Sequence, residues 1–266
     1  MHHRLYSFLD KYNCLFNKQF GFRNAHSTNH ALISITEKIR RALDNDEISC
    51  GVFLDFQKAF DTVNHDILLG KLDHYGIRGV TNDWFRSYLT NREQFTTINN
   101  NQSDSVLVTH GVPQGSVLGP LLFLVYINDL SSAVSYSMIH HFADDTNILY
   151  SDKSIKKINR QINYDLSLIT QWLRANRISL NSNKTEIIIF RHKGRTIAKH
   201  LNFRISGQKI RTVEKNKYLG LYLDEHLSWN FQLNQLKSKL NRSCGLLSKL
   251  RYCQQRFIEN CIFFNF

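Results

Sequence analysis

Apolar residues recur at helical spacing from 28 to 43 (TNHALISITEKIRRAL) behind Ser27 or Thr28, which predicts a capped helix with one buried face. The stretch before it, QFGFR at 19–23, reads as a strand or loop. At 50–55 the pattern changes to a short, nearly continuous apolar run, CGVFLD, of the kind carried by a strand covered on both faces. Asn64 then caps a predicted helix reaching about Tyr75, closed by Gly76 in the left-handed position. A helix near 81–90 and strands near 94–99 and 105–109 follow. Beyond GVPQGS, Ser116 is placed to cap a helix with Pro120 in its first turn. That segment, VLGPLLFLVYINDL, is apolar nearly all round, so burial is expected.

Residues 138–150 (MIHHFADDTNILY) are two apolar runs around a polar centre and predict a hairpin with Asp144 and Asp145 at its tip. Ile155, Ile158, Ile162, Leu166, Ile169 and Leu173 mark one stripe of a long helix, and TEIIIF (185–190) reads as a strand. After residue 200 come a hairpin (NFRISGQKI), a strand (KYLGLYLD, 217–224) and a basic helix over about 229–250. Taken in order, the central segments predict an α+β fold of ferredoxin-like pattern, an antiparallel sheet backed by helices on one face. Such a sheet can set Asp55, at one strand end, beside the tip of a neighbouring hairpin.

Composition narrows the class. With 266 residues, 42% hydrophobic and only 2 Pro, the chain is a folded domain or two rather than a fibrous or disordered protein. No apolar run approaches the roughly 18 residues of a membrane span, and the N-terminus lacks a signal-peptide layout. The expectation is an intracellular protein, cytoplasmic and/or nuclear, not secreted and without membrane contact. Five scattered Cys (14, 50, 244, 253, 261) offer neither a disulfide framework nor a zinc site; buried thiols and no disulfide-linked partner are expected.

Charge is divided unevenly. Residues 1–150 hold 12 Lys and Arg against 15 Asp and Glu, residues 151–266 hold 22 against 7, so the halves carry −3 and +15. A basic half of that strength points to a polyanion; the plainer reading is a solvated basic face. An Asp-Asp pair at a hairpin tip is ordinarily turn chemistry. Here both flanks are apolar, and Asp55 also ends an apolar strand, so three carboxylates at a core edge call for a compensating cation. Oxygen donors without His or Cys favour Mg²⁺, and a Mg²⁺ pair so held suits phosphoryl transfer.

LDFQKAFDTVNHDIL (54–68), GVPQGSVLGPLLFLVYINDL (111–130), FADD (142–145), LNSNKTE (180–186) and KYLGLYLD (217–224) resemble the successive palm motifs of reverse transcriptases. The resemblance is closest to non-LTR (LINE and jockey-like) retrotransposons, whose fingers-to-palm segment is similar to QFGFRNAHSTNHAL (19–32). It implies a right-hand polymerase palm with partial fingers and the start of a thumb. The implied division is 1–49 partial fingers, 50–226 palm (motifs A to E) with an inserted fingers-side segment at about 77–110, 227–252 the start of a thumb, and 253–266 a divergent tail. Fingers strands that the family carries upstream of its first motif have no counterpart, and the thumb match fades near Tyr252; the expectation is a chain truncated at both ends.

The same resemblance implies roles. Asp55, Asp144 and Asp145 would be the catalytic carboxylates, holding two Mg²⁺ (or Mn²⁺ as a substitute) together with the Phe56 carbonyl. Phe60 would lie under the incoming sugar and exclude a 2′-hydroxyl; its alternative is a core aromatic. Gln114 and Gly115 would touch nucleotide and template, or merely form a helix-entry turn. Lys184 resembles a general acid to the pyrophosphate, or is a solvated loop lysine. Tyr218, Leu219 and Gly220 would be the primer grip, or ordinary strand residues, and Arg23 would reach the triphosphate. The implied activity is an RNA-directed DNA polymerase acting on an RNA template, a DNA primer and deoxynucleoside triphosphates. Two rivals stand beside it, an inactive nucleic-acid-binding remnant of such an element and a metal-dependent nuclease.

Overall fold

A computed structural model describes residues 1–99, 101–197 and 201–250. Its elements are α1 (His2–Lys11), α2 (Thr28–Asp44), β1 (Ile48–Leu54), α3 (His65–His74), α4 (Val80–Leu89), β2 (Arg92–Gln94), β3 (Thr97–Ile98), β4 (Asn101–Gln102) and β5 (Val106–Val108). There follow α5 (Gly119–Ile127), a 3₁₀ turn (Asn128–Ala133), β6 (Met138–Phe142), β7 (Asp145–Asp152), α6 (Ile155–Ala175) and β8 (Glu186–Phe190). Last come β9 (Arg204–Ile205), β10 (Gln208–Lys209), β11 (Arg211–Thr212), β12 (Lys215–Tyr218), β13 (Leu221–Asp224) and α7 (Asn230–Leu250). The expected caps are in place: Ser27 accepts from the His30 N–H at 3.3 Å and Asn64 from the Ile67 N–H at 3.1 Å. Gly76 has φ +93, the left-handed geometry that ends α3.

The main sheet has the order β11-β8-β1-β7-β6. β1 is antiparallel to both β7 and β8, and β6 is antiparallel to β7, so β8-β1-β7-β6 has the split βαβ order of a ferredoxin-like sheet. β11 adds a parallel edge beside β8. All seven residues of β1 are buried, and the pleat sends them to two different cores. Ile48, Cys50, Val52 and Leu54 join α5 and α6, whose Ile158, Ile162, Leu166 and Ile169 are fully enclosed. Phe53 joins Leu149, Ile188 and Phe190 on the opposite face, under Leu32, Ile35 and Ile39 of α2 and Tyr218 and Leu223 of the β12–β13 hairpin.

That second cover corrects the expectation of helices on one face only. The doubly apolar run of β1 already required it, because Phe53 would otherwise face water. Three local expectations also change. KYLGLYLD is not one strand: Tyr218 pairs with Leu221 across a two-residue turn in which Leu219 has φ +47 and Gly220 φ +89. The strand expected at 94–99 is broken into β2, which pairs with β5, and β3, which pairs with β4. The helix after GVPQGS begins at Gly119 rather than beside Ser116, although Ser116 Oγ still accepts from the Gly119 N–H at 3.0 Å and all but one of the helix's residues, Pro120, are buried.

Helix α1 had no counterpart in the sequence reading; it buries only Leu5 and Leu9, too sparse a stripe to stand out. Cys14, Cys50 and Cys244 are free thiols, Cys50 buried as expected, Cys14 partly so, and Cys244 exposed on α7, contrary to expectation. Cys253, Cys261, the thumb end at Tyr252 and the tail at 253–266 lie outside the described residues. No helix among the described residues is long and apolar enough to cross a membrane.

Candidate active site

The register of β1 on β7 puts Leu54 opposite Thr146. One step further along each strand stand Asp55 and Asp145, on the face that also carries Phe53 and Asn147. Beyond Asp55 the chain leaves β7 and is held by the 179–185 loop instead. Asp55 O accepts from the Asn181 N–H at 2.8 Å and the Gln57 N–H donates to Ser179 O at 2.9 Å. Thr185 Oγ1 accepts from the Asp55 N–H at 3.5 Å while donating to Asn181 O at 3.0 Å. Neither backbone bond uses the Phe56 carbonyl.

Asp144 sits in the turn between β6 and β7, directly after Ala143 at φ +56, and Asp145 opens β7. The turn is held from within, since Thr146 Oγ1 donates to Asp144 O at 3.3 Å and bonds His141 Nδ1 at 2.8 Å. Burial raises the proton affinity of Asp144, with the charge of Asp55 adding to it. Asp145, exposed at the start of β7, is nonetheless pushed up to about 6 by partial desolvation at the strand end and then by the negative charges of Asp144 and Asp55. Both hairpin carboxylates thus feel the charge of Asp55. No ion pair among the described residues involves any of them. The described residues contain no ready-made cluster of three His, Cys, Asp or Glu able to hold an ion. Carboxylates are hard oxygen donors, the kind that suits a divalent cation such as Mg²⁺.

Asp55, Asp145, Lys184 and Tyr218 line one small cleft, together with Asn216 and Lys217. Tyr218 is 4% exposed, its ring tilted against Phe53 at 5.4 Å, and its buried hydroxyl has no partner among the described residues. Burial, and then the charge of Asp145, raises its proton affinity. Asn216 and Glu186 escaped the sequence reading. Asn216 Nδ2 donates to Glu186 Oε2 at 2.8 Å, and Glu186, opposite Phe53, also pairs with Arg211. The period-two alternation of TEIIIF was the available signal, since it puts Glu186 on the same face as Ile188 and hence as Phe53.

Phe60 lies between Phe123, stacked at 4.3 Å, and Phe22, edge-on at 6.1 Å, and is only partly buried. The GVPQG loop closes onto residues 60–63. The Val112 N–H donates to Phe60 O at 2.9 Å, the Gly111 N–H to Val63 O at 2.8 Å, and Gln114 Nε2 to Asp61 Oδ1 at 2.7 Å. Gly115 has φ +78 with open space where a Cβ would stand. Phe60, Gln114 and Gly115 do not line the cleft of Asp55 and Asp145, and neither does Arg23. Its guanidinium donates to Phe16 O at 2.9 Å and lies 3.8 Å from Asp10, turned toward α1 and away from the carboxylates. The neighbouring Gly21 and Phe22 take the place nearest Ala143 and Phe60, which leaves the arginine on the other side of the chain.

Residues 1–223 match the family described as reverse transcriptase (RNA-dependent DNA polymerase). The chain is similar to a probable RNA-directed DNA polymerase from transposon BS of Drosophila melanogaster, 30% identical over 266 residues that cover 95% of this chain and 28% of that protein. It is also similar to the RNA-directed DNA polymerase from mobile element jockey of the same organism, 28% identical over 87% of this chain and 26% of the relative. The chain thus spans little more than a quarter of the length of these relatives. Among solved structures, apo telomerase from Candida tropicalis superposes with a TM-score of 0.58 at 13% identity, covering 85% of this chain and 39% of that one. That likeness concerns the fold alone.

Proposed function

The chain belongs to the reverse transcriptase family, and on that premise we propose that its carboxylate cluster is the catalytic centre of an RNA-directed DNA polymerase of a non-LTR retrotransposon. The observation that carries this reading is that Asp55 and Asp145 line one cleft from the matched ends of β1 and β7, across about ninety residues of chain, with Asp144 next to Asp145 in the turn. The reaction joins a primer 3′-hydroxyl to the α-phosphate of a deoxynucleoside triphosphate, releasing pyrophosphate, on an RNA template. Asp55, Asp144, Asp145 and the Phe56 carbonyl would hold two Mg²⁺, which when bound supply the charge neutralisation that phosphoryl transfer needs.

The remaining roles fall to the chain's own groups. Lys184, in the same cleft, would hold a proton for the departing pyrophosphate. Phe60 would support the sugar from its seat on Phe123, and Gln114, held by Asp61, would touch nucleotide and template. The Tyr218–Gly220 turn would brace the primer end, and the basic half, with α7 as its exposed outer helix, would neutralise the phosphates of the duplex. Residues 1–49, 50–226 and 227–252 take the fingers, palm and thumb-start assignments in this reading, with the excursion at about 77–110 on the fingers side.

The test is template-dependent primer extension by the purified chain in Mg²⁺, on RNA and DNA templates. Extension on RNA that Asp144→Asn lowers by about a thousandfold or more supports the reading. Binding of template-primer without extension favours an inert remnant, and primer degradation favours a nuclease. Phe60→Ala is expected to admit ribonucleotides more readily; unchanged sugar selectivity with lowered stability would return Phe60 to the core.

A further inference from the structure

The segment Lys18–Gly21 runs beside the edge strand β6 and reaches the turn that carries the carboxylates. Gln19 stands opposite His141 in a parallel bridge, the Phe20 N–H donates to His141 O at 2.8 Å, and the His141 N–H donates to Lys18 O at 3.0 Å. Gln19 itself is 2% exposed, and its side-chain amide serves the backbone N–H and C=O of Ala143 and the N–H of Gly21. Its Oε1 accepts from the Ala143 N–H at 3.1 Å and from the Gly21 N–H at 2.9 Å, while Nε2 approaches Ala143 O at 3.5 Å. A Cβ on Gly21 would stand 2.2 Å from Ala143 N, so only glycine lets the chain come this near.

Ala143 is the residue at φ +56 immediately before Asp144. An alanine in the left-handed region is held there by its surroundings, not by its own preference. Gln19 grips both its N–H and its C=O, and the dihedrals between those two groups set the direction in which Asp144 and then Asp145 leave the turn. A buried amide that lost these partners would be left unsatisfied, so side chain and turn fix each other.

We propose that Gln19 is a positioning residue for the two hairpin carboxylates, coupling the segment before α2 to the geometry in which Asp144 and Asp145 bind divalent cations. The inference rests on the reading that these carboxylates hold such cations. Gln19 touches neither cation nor substrate; it acts through the Ala143 peptide, as outer groups orient metal ligands elsewhere.

The test uses the full chain with two substitutions of similar size. Gln19→Met removes every polar atom, whereas Gln19→Glu keeps an oxygen to accept from both N–H groups. Two quantities are read well below the melting temperature of each variant: hydrogen exchange of the Ala143 amide, and Mn²⁺ affinity by water-proton relaxation. Gln19→Met is expected to expose the Ala143 amide and weaken Mn²⁺ binding by about 10- to 100-fold, with Gln19→Glu restoring both. A folded Gln19→Met with wild-type Mn²⁺ affinity would overturn the proposal, even if its melting temperature fell, because that is the signature of a role in stability alone. Asp144→Asn separates the two levels of the argument. If the wild-type chain binds no Mn²⁺, or binds it equally after Asp144→Asn, the cation reading fails and takes the positioning role with it. If Asp144→Asn abolishes binding and Gln19→Met leaves it intact, only the role of Gln19 fails.

Discussion

The sheet β8-β1-β7-β6 and the excursion β2–β5 are both built of strands, yet they hold their side chains in opposite ways. Every residue of β1 is buried and packed from two sides. In the excursion Ile98, Val106 and Leu107, on strands of two or three residues, are exposed by 67, 65 and 56%, and Phe95, between β2 and β3, by 53%. Isolated two-stranded ribbons of that length hold their shape weakly, because no third layer fixes the register. Asp55 and Asp145 stand at the ends of strands packed on both faces, with Asp144 in the adjoining turn. Arg92 and Val108 of the excursion share a pocket with Asp61 and Gln114.

Truncating the sheet's support should have the largest effect. Phe123 is fully buried beneath Phe60, and Phe123→Ala should lower unfolding free energy by about 3–5 kcal/mol in denaturant titration. A loss under 1 kcal/mol would mean that the α5 face is not a close-packed core.

Acid should also act on the sheet. His140 and His141 are buried in β6, and burial is the main force holding both down to about 3, with Lys18 and Lys38 adding to the effect on His140 and the neighbouring His140 on His141. The unfolded chain takes up these protons near 6.5, well before the folded one. Their contribution is therefore present in full above pH 6.5 and is lost as pH falls toward 3. The melting temperature should drop by several degrees between pH 7 and pH 5, and less so in a His140→Phe variant. Asp145 works in the other direction. Its carboxyl, raised to about 6, favours the folded metal-free chain below that pH and loses this advantage as pH rises from 3.8 through 6, so cation affinity should strengthen across the same interval.

The smallest effect belongs to the excursion. Leu107→Ser should change stability by no more than about 0.5 kcal/mol, since its side chain is already in water. A loss equal to that of Phe123→Ala would erase the contrast between the two regions.

The same contrast explains what was legible in the sequence. β1, the β6–β7 hairpin and the α6 stripe were readable because burial imposes a period or a continuous run, and the three aspartates stood out by ending apolar runs. The turn at Leu219–Gly220 was not: KYLGLYLD alternates like a strand, and a leucine at positive φ gives no local signal. The direction of Arg23 depends on Phe16 and Asp10, contacts made only once α1 has docked. Gln19 was hidden for the same reason, its partner Ala143 being 124 positions away.

Such distances have a consequence for the order of synthesis. Ser49 of β1 bonds Ser151 across 102 positions, and Asp55 meets Thr185 across 130. As the chain leaves the ribosome, the strand that will bear Asp55 is finished long before either neighbour exists. Through that interval a seven-residue apolar run waits with both edges open, a template for pairing with another nascent chain. Translation speed between residues 55 and 190 and access to a holding chaperone would then govern the yield of folded protein. Slow, crowded expression should favour aggregation that begins at Ile48–Leu54, before any catalytic geometry can form.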